Sequence, residues 1–206
     1  MKHLPVFARI WLLSFAVCIA LVAFSFAHLD VPLALHFWKV GRFLRPLDRA
    51  FGAAGILSFE AAVALGLILT RVVRGHISPL GEAAALACLA SICTYGINSE
   101  VLKPFFGVPA PAAVMEGAAH SFNFLAGPAN SSFPSGHMVL AAAFAGVFMK
   151  LYRGSVGSLS VLLLLGAGLL LMGGWHFLSD VIAGAFAGLS AGLLAGEAWI
   201  VHKRPP

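Results

Sequence analysis

Two short polar blocks, each followed by a long apolar segment, hold the residue types that phosphoryl or acyl transfer requires. The first block reads Ser-Ser-Phe-Pro-Ser-Gly-His over residues 131–137, and the second reads Trp-His-Phe-Leu-Ser-Asp over residues 175–180. A small-residue turn that enters a helix presents free backbone N–H groups, and the helix dipole adds positive potential there. The first block therefore predicts a cradle for an oxyanion or a phosphate group.

The residues of the first block have separate expected tasks at this helix start. Pro134 suits the first helical position, and Ser131 and Ser132 are candidate caps. Gly136 lets the backbone approach a ligand closely. His137 falls in the first turn, where it can exchange a proton with the bound group.

The second block places His176 and Asp180 four residues apart. On a helix, this spacing brings the carboxylate beside the imidazole, where it fixes the tautomer and raises the nucleophilicity of the ring. A cradle, an acid and an oriented nucleophile together indicate phosphoryl or acyl transfer.

At these residues the chain resembles the type 2 phosphatidic acid phosphatase superfamily, the membrane lipid phosphatases related to vanadium haloperoxidases. The pattern of that family has three parts: K-x6-R-P, then P-S-G-H, then S-R-x5-H-x3-D. The middle part is complete at residues 134–137, and the third part keeps His176 and Asp180. The first part keeps Lys103 and Pro111.

Both arginines of the family pattern are replaced in this chain. Ala110 stands at the arginine position of the first part, while Leu169 and Leu170 occupy the Ser-Arg positions of the third. The resemblance covers about residues 80–200, and it implies the membrane fold of the family.

The resemblance also implies a role for each retained residue. His176 would attack the phosphorus atom and form a phosphohistidine, Asp180 would hold the other ring nitrogen, and His137 would protonate the leaving oxygen. Water would then release phosphate. The phosphate oxygens would be bound by backbone N–H groups and by the remaining retained residues, which are Lys103, Ser135 and Gly136. The chemistry of the family is metal-independent, so the resemblance implies no cofactor.

The composition predicts an integral membrane protein. Of 206 residues, 60% are hydrophobic and 10% are charged, which is far from the balance of soluble proteins. Apolar stretches that reach or approach the roughly 20 residues needed to span a bilayer lie near residues 10–28, 50–70, 81–100, 134–150, 155–173 and 178–200. The sequence therefore predicts one all-α domain over residues 1–206, a polytopic bundle of six transmembrane helices. The first stretch is expected to be a retained anchor, because its apolar run is long for a signal peptide.

The formal net charge of +5 indicates membrane topology and not nucleic-acid binding, because no basic stretch alternates with aromatic residues. Basic residues at the segment ends favour a cytoplasmic N-terminus. Lys103, His137, His176 and Asp180 then fall on the outer side, which in a bacterium is the periplasmic face of the inner membrane. The expected partners are a lipid phosphate substrate and membrane lipids, with no nucleic acid.

The cysteines give no sign of a metal site or a disulfide framework. They lie in apolar runs, at Cys18, Cys88 and Cys93. Because no set of His or Cys residues surrounds them at zinc-ligand spacing, they are expected to pack as small apolar residues.

The last apolar segment carries a glycine at every fourth position, namely Gly184, Gly188, Gly192 and Gly196. Small residues at this interval let helix backbones approach closely in lipid. The preferred interpretation is tight packing inside one bundle, with a homodimer interface as the alternative, so both a monomer and a homodimer remain open.

Two segments outside the apolar stretches have expected places. If helical before Pro46, residues 29–49 form an amphipathic segment that would lie in the membrane interface. Arg42 or Arg45 would then either replace part of the missing phosphate-binding charge or bind anionic head groups.

The long loop over residues 104–133 is expected to cover the site as a lid. Within it, His120 is expected to be a solvated loop residue and not a catalytic one.

Three functions stay open at this stage. The leading one is a lipid phosphatase acting on polyprenyl pyrophosphate, phosphatidylglycerol phosphate, phosphatidic acid or a lipid A phosphate. The second is a transferase that passes the phosphoryl or head group to another lipid. The third is a catalytically silent lipid-binding relative, since each lost charge-assisted phosphate contact is worth roughly 1.5–3 kcal/mol. A transporter is disfavoured, because no broken-helix repeat is visible.

Overall fold

The structure, a computed structural model, describes residues 6–127 and 131–203, except for the side chains of Phe7, Arg42 and residues 45–51. Over these ranges the chain forms nine α-helices, a π-helical turn, a 3-10 turn and an isolated β-bridge. The α-helices are α1 (Val6–His28), α2 (Asp30–Phe51), α3 (Ala53–Arg74), α4 (Pro79–Ile97), α5 (Lys103–Phe106), α6 (Pro111–Met115), α7 (Gly136–Leu151), α8 (Val156–Met172) and α9 (Leu178–Lys203).

Among the described residues, five helical segments are long and apolar enough to cross a membrane. They are Ala8–His28, Ala53–Arg74, Pro79–Phe106, Arg153–Met172 and Leu178–Lys203. The predicted all-α, membrane-type architecture is therefore confirmed.

The predicted count of six transmembrane helices is not confirmed, because the fourth stretch forms a shorter helix. α7 has 16 residues and a length of about 24 Å at 1.5 Å per residue, which is less than the roughly 30 Å of a bilayer core. The prediction began this helix at residue 134, whereas the observed helix begins at Gly136.

α7 is the buried centre of the bundle, and α9 packs closely along it. A Cβ atom added to Gly184 would lie 2.7 Å from the carbonyl oxygen of Ser135, and one added to Gly188 would lie 2.6 Å from that of Val139. Since real Cβ atoms do not come so close, only glycine permits this approach. The glycine stripe therefore packs within the bundle, as the sequence indicates.

The amphipathic second helix packs against the turn that leads into the second polar block. It continues past Pro46, whose missing N–H weakens the helix without ending it. A Cβ atom at Gly41 would lie 2.8 Å from the carbonyl oxygen of Gly173. The side chains of Arg42 and Arg45 lie outside the described part of the chain, so the expected compensation for the missing arginines stays a hypothesis.

The two polar blocks lie at the end of the bundle where α4 and α8 finish and α7 and α9 begin. At the opposite end, ion pairs join the helices. Glu82 contacts Arg71 at 2.9 Å and Lys203 at 2.8 Å, and Lys150 pairs with Glu197. The basic members of these ion pairs, Arg71, Lys150 and Lys203, lie near the ends of α3, α7 and α9, away from the polar blocks.

Candidate active site

Lys103 is placed at the site by a distortion at the end of α4. Residues Asn98–Leu102 form a π-helical turn directly before it, and π-helical turns often occur at functional sites. The fully buried Asn98 donates a hydrogen bond from Nδ2 to the carbonyl oxygen of Pro134 at 3.2 Å. This bond fixes the end of α4 to the first polar block.

The first polar block is held in place by hydrogen bonds at the start of α7. Ser135 is the N-cap residue, and its Oγ accepts the N–H of Met138 at 3.3 Å. The N–H of Ser135 donates to the carbonyl oxygen of Asp180 at 3.0 Å. Ser135 therefore caps α7 and also connects it to the first turn of α9. The N–H groups of the first helical turn are available to an anion at this end.

Two expectations about this block are wrong. Pro134 is not the first helical residue, and Ser131 and Ser132 do not cap the helix, because α7 begins one residue after Ser135. Instead, Ser131 Oγ donates to the carbonyl oxygen of Phe133 at 3.3 Å, and the hydroxyl group of Ser132 bonds to backbone carbonyl oxygens of the preceding loop.

Gly136 also has a packing role beside the expected one. A Cβ atom there would lie 2.8 Å from Cε2 of Tyr95. Gly136 therefore leaves space for the Tyr95 ring, and this allows α4 and α7 to pack closely at the site.

His137 and His176 contact each other at this end of the bundle, and His176 also contacts the carboxylate of Asp180. His137 Nδ1 lies 3.3 Å from His176 Nε2, and His176 Nδ1 lies 3.3 Å from Asp180 Oδ2. His176 is 8% exposed and Asp180 is fully buried. Because an ionised carboxylate can only accept hydrogen bonds, the proton belongs on Nδ1 of His176, and the lone pair on Nε2 then faces His137.

Asp180 is itself held in one orientation. Its Oδ2 accepts the N–H of Phe177 at 2.9 Å as well as the contact from His176. The structure therefore joins Ser135, His137, His176 and Asp180 through direct contacts, with Gly136 between Ser135 and His137. Lys103 follows the π-helical turn at the same end of the bundle.

The leucines at the Ser-Arg positions of the family pattern build an apolar wall. Leu170 is buried against Met138 and Val181 in the hydrophobic core. Leu169 and Leu170 also line a groove of about 310 Å³ beside His137, between α3, α7 and α8. We call this cavity the His137 groove.

The expectation that His120 is solvated is wrong. Its side chain is 10% exposed, and Nε2 lies 3.4 Å from Oδ2 of the buried Asp30. The ring stacks on Phe26, with centroids 4.1 Å apart. The sequence analysis missed Asp30 as well, although a carboxylate between two apolar segments is a signal for a buried polar site.

Within residues 6–127 and 131–203, no group of three or more His, Cys, Asp or Glu side chains is placed to hold a metal ion.

The chain combines apolar helices of membrane-spanning length with two histidines and a carboxylate in contact at one end of the bundle. The family model of the PAP2 superfamily matches residues 84–202, more than half of the chain. The chain therefore belongs to the PAP2 superfamily. Membership supports a phosphatase-type hydrolase, since the superfamily consists generally of phosphatases and related phosphoesterases. No curated protein and no solved structure matches the chain.

Proposed function

We propose that this protein is a membrane lipid phosphatase, which removes phosphate from a lipid phosphate or pyrophosphate through a phosphohistidine intermediate. The observation that carries the proposal is the continuous contact from His137 through His176 to Asp180, with 3.3 Å at each step. A nucleophile, an acid and an orienting carboxylate in this order are what nucleophilic phosphoryl transfer requires.

The first step breaks the bond between phosphorus and the lipid oxygen. His176 attacks through the Nε2 lone pair, and the new N–P bond forms as the leaving oxygen takes a proton from protonated His137. The proton on Nδ1 stays with His176, where Asp180 stabilises the charge that develops on the ring.

The second step releases phosphate. Water attacks the phosphorus atom, neutral His137 takes its proton, and the N–P bond breaks. His176 recovers its Nε2 lone pair and His137 its proton, so the enzyme returns to its starting state.

Positive potential for the phosphate comes from two sources at the site. The first is Lys103, and the second is the N-terminus of α7 with its first-turn N–H groups. Ser135, as the cap, fixes the direction of those groups. These interactions act where charge develops on the phosphoryl oxygens in the transition state.

The His137 groove supports a lipid as the leaving group. Its lining is apolar and includes Ile56, Leu170 and Trp175 as well as His137 itself. Since the acid must touch the leaving oxygen, a hydrocarbon chain attached to that oxygen would enter this groove. The basic-residue bias of the sequence favours a site that faces outward, at the periplasmic side of a bacterial inner membrane.

A second groove favours transfer to another lipid as the alternative function. It has a volume of about 580 Å³ and follows α1 and α9, and its lining also includes Leu102, Phe133 and Pro134. Leu102 and Pro134 are the chain neighbours of Lys103 and Ser135, so two apolar grooves beside the candidate site would suit a donor chain and an acceptor chain.

Phosphate release from a panel of lipid phosphates in mixed micelles tests the proposal. The intact protein should release phosphate, and the His176→Ala variant should not. His76→Ala, at an exposed histidine between α3 and α4, is the matched control and should keep the parental rate. Turnover that requires an added acceptor lipid would favour the transferase, and a folded parental protein without any turnover would identify a silent relative.

A further inference from the structure

A second buried polar cluster lies beside the site, and none of the steps above uses it. Asp30, the first residue of α2, is 1% exposed. Its Oδ1 accepts the N–H of Ser179 at 3.0 Å, and its Oδ2 accepts the Ser179 hydroxyl group. His120 Nε2 lies 3.4 Å from the same Oδ2. A carboxylate is costly to bury unless its oxygens are paired, and here both oxygens have partners.

Ser179 lies inside the turn that holds the nucleophile in place. The N–H of Phe177 donates to Asp180 Oδ2, and the carbonyl oxygen of Asp180 accepts the N–H of Ser135. First-turn N–H groups of a helix lack acceptors within the helix itself. At the start of α9, Asp30 accepts from Ser179, and its negative charge is favourable at this helix end. Asp30 therefore acts as a capping group for α9 from a different helix.

We propose that Asp30 is a positioning residue for the phosphoryl transfer, an inference that rests on the proposed function. Asp30 fixes the backbone at Ser179, this backbone places Asp180, and Asp180 orients His176. Without Asp30, the first turn of α9 relaxes, and Nε2 of His176 points less often in the direction of attack. The effect belongs to the chemical step, because Asp30 acts on the nucleophile and not on the lipid.

His120 connects the same cluster to the loop between α6 and α7. Its ring lies 4.1 Å from the ring of Phe26 and 4.5 Å from that of Phe177, measured between centroids. The loop is thereby fastened to α1 and to the turn before α9. In the proposed arrangement, His120 holds the loop against Asp30 and excludes water from the cluster.

Two substitutions of Asp30 separate hydrogen bonding from charge. In Asp30→Asn, the amide oxygen can still accept the N–H of Ser179, and the amide nitrogen can donate to the Ser179 hydroxyl, which accepts as well as donates. In Asp30→Ala, both bonds are lost. A positioning role therefore predicts that Asp30→Asn keeps most of the parental kcat. A role of the negative charge predicts that both substitutions lower kcat equally.

The expected kinetic result is a loss in kcat and not in KM. Asp30→Ala should lower kcat by about 10- to 100-fold, the scale of an ångström-size misplacement of a reacting group. KM should stay within about threefold, and Asp30→Asn should keep kcat within about threefold of the parental protein.

A second measurement follows His176 without any substrate. In the full-length protein in detergent micelles, ¹⁵N-histidine NMR reports the tautomer of His176 and its hydrogen bond to Asp180. Asp30→Ala should shift these signals in the same direction as Asp180→Asn does, while the signals of exposed His76 stay unchanged. Because this readout needs no turnover, a parental protein without phosphatase activity would contradict the proposed function alone.

Unchanged kcat and unchanged His176 signals in Asp30→Ala would overturn the proposal. Equal losses in Asp30→Asn and Asp30→Ala would overturn it too. If Asp30→Ala fails to fold, Ser179→Ala decides, since it removes only the hydroxyl bond. It should lower kcat by about three- to tenfold with a shift of the His176 signals, and no change in either quantity would refute the positioning role.

Discussion

Replacement of Gly184 by alanine should separate α9 from α7 at the point where the two polar blocks meet. The new Cβ atom would lie 2.7 Å from the carbonyl oxygen of Ser135 and 3.2 Å from Cβ of Met138. The first contact is with a backbone atom that cannot rotate away. The helices must therefore move apart by about 0.7 Å before this contact becomes an ordinary one.

Two opposing energies set the effect of Gly184→Ala on stability. Alanine is favoured over glycine in a helix interior by about 1 kcal/mol, whereas overpacking of a close contact costs about 1–3 kcal/mol. The free energy of unfolding should consequently fall by about 0–2 kcal/mol. Activity should fall more clearly, by about tenfold, since the movement widens the distance between His137 and His176 and an ångström-size misplacement can cost about 100-fold.

The assay compares kcat and thermal unfolding of Gly184→Ala with a matched control on α8. Gly168 is also inside an apolar helix, but a Cβ atom there would meet nothing within 4 Å. Gly168→Ala should keep the parental kcat and gain up to about 1 kcal/mol in stability. If Gly184→Ala were as active and as stable as Gly168→Ala, the close approach of α9 to α7 would not be what holds the site together.

Three further predictions address the site and its orientation. Asp180→Asn should keep the fold but lower kcat by about 100-fold or more, because a neutral amide does not stabilise the positive charge that develops on the His176 ring as it attacks; equal kcat would contradict the role of Asp180. His137→Ala should slow the hydrolysis of alkyl phosphates by about 100-fold or more, the usual contribution of a general acid, and should slow the hydrolysis of a p-nitrophenyl ester much less. Equal slowing of both reactions would exclude His137 as the acid. In a variant without Cys93, an impermeant thiol reagent on intact cells should label Ala119→Cys and leave Arg153→Cys unlabelled. The reverse pattern would place the site on the cytoplasmic side.

Local patterns in the sequence were sufficient to predict the long apolar helices and the contact between His176 and Asp180, but not the short helices α5 and α6 in the predicted loop. Apolar stretches of membrane-spanning length gave the helical segments, and the four-residue spacing of His176 and Asp180 gave their contact, because both depend on neighbours along the chain. The cap of α7 was assigned to the wrong serines, since a helix start can be displaced by a residue or two without changing the apolar pattern.

Contacts between distant segments could not be predicted in this way. Asp30 and Ser179 are 149 positions apart, and no periodicity connects the start of α2 with the start of α9. The burial of His120 depends on the Phe26 ring of α1, which stacks on it. Such contacts follow from the packing of whole helices, and their residues look like ordinary polar residues of a loop or a helix end.

The central claim is that His176 carries the phosphoryl group, and trapping of the intermediate tests it most directly. The intact protein would be mixed with a ³²P-labelled lipid phosphate, quenched in base within the first turnover and digested for peptide mapping. We expect an acid-labile, base-stable label on His176 of the parental protein and no label on His176→Ala. Release of phosphate by the parental protein without label on His176, or the same rate of release by His176→Ala, would contradict the account.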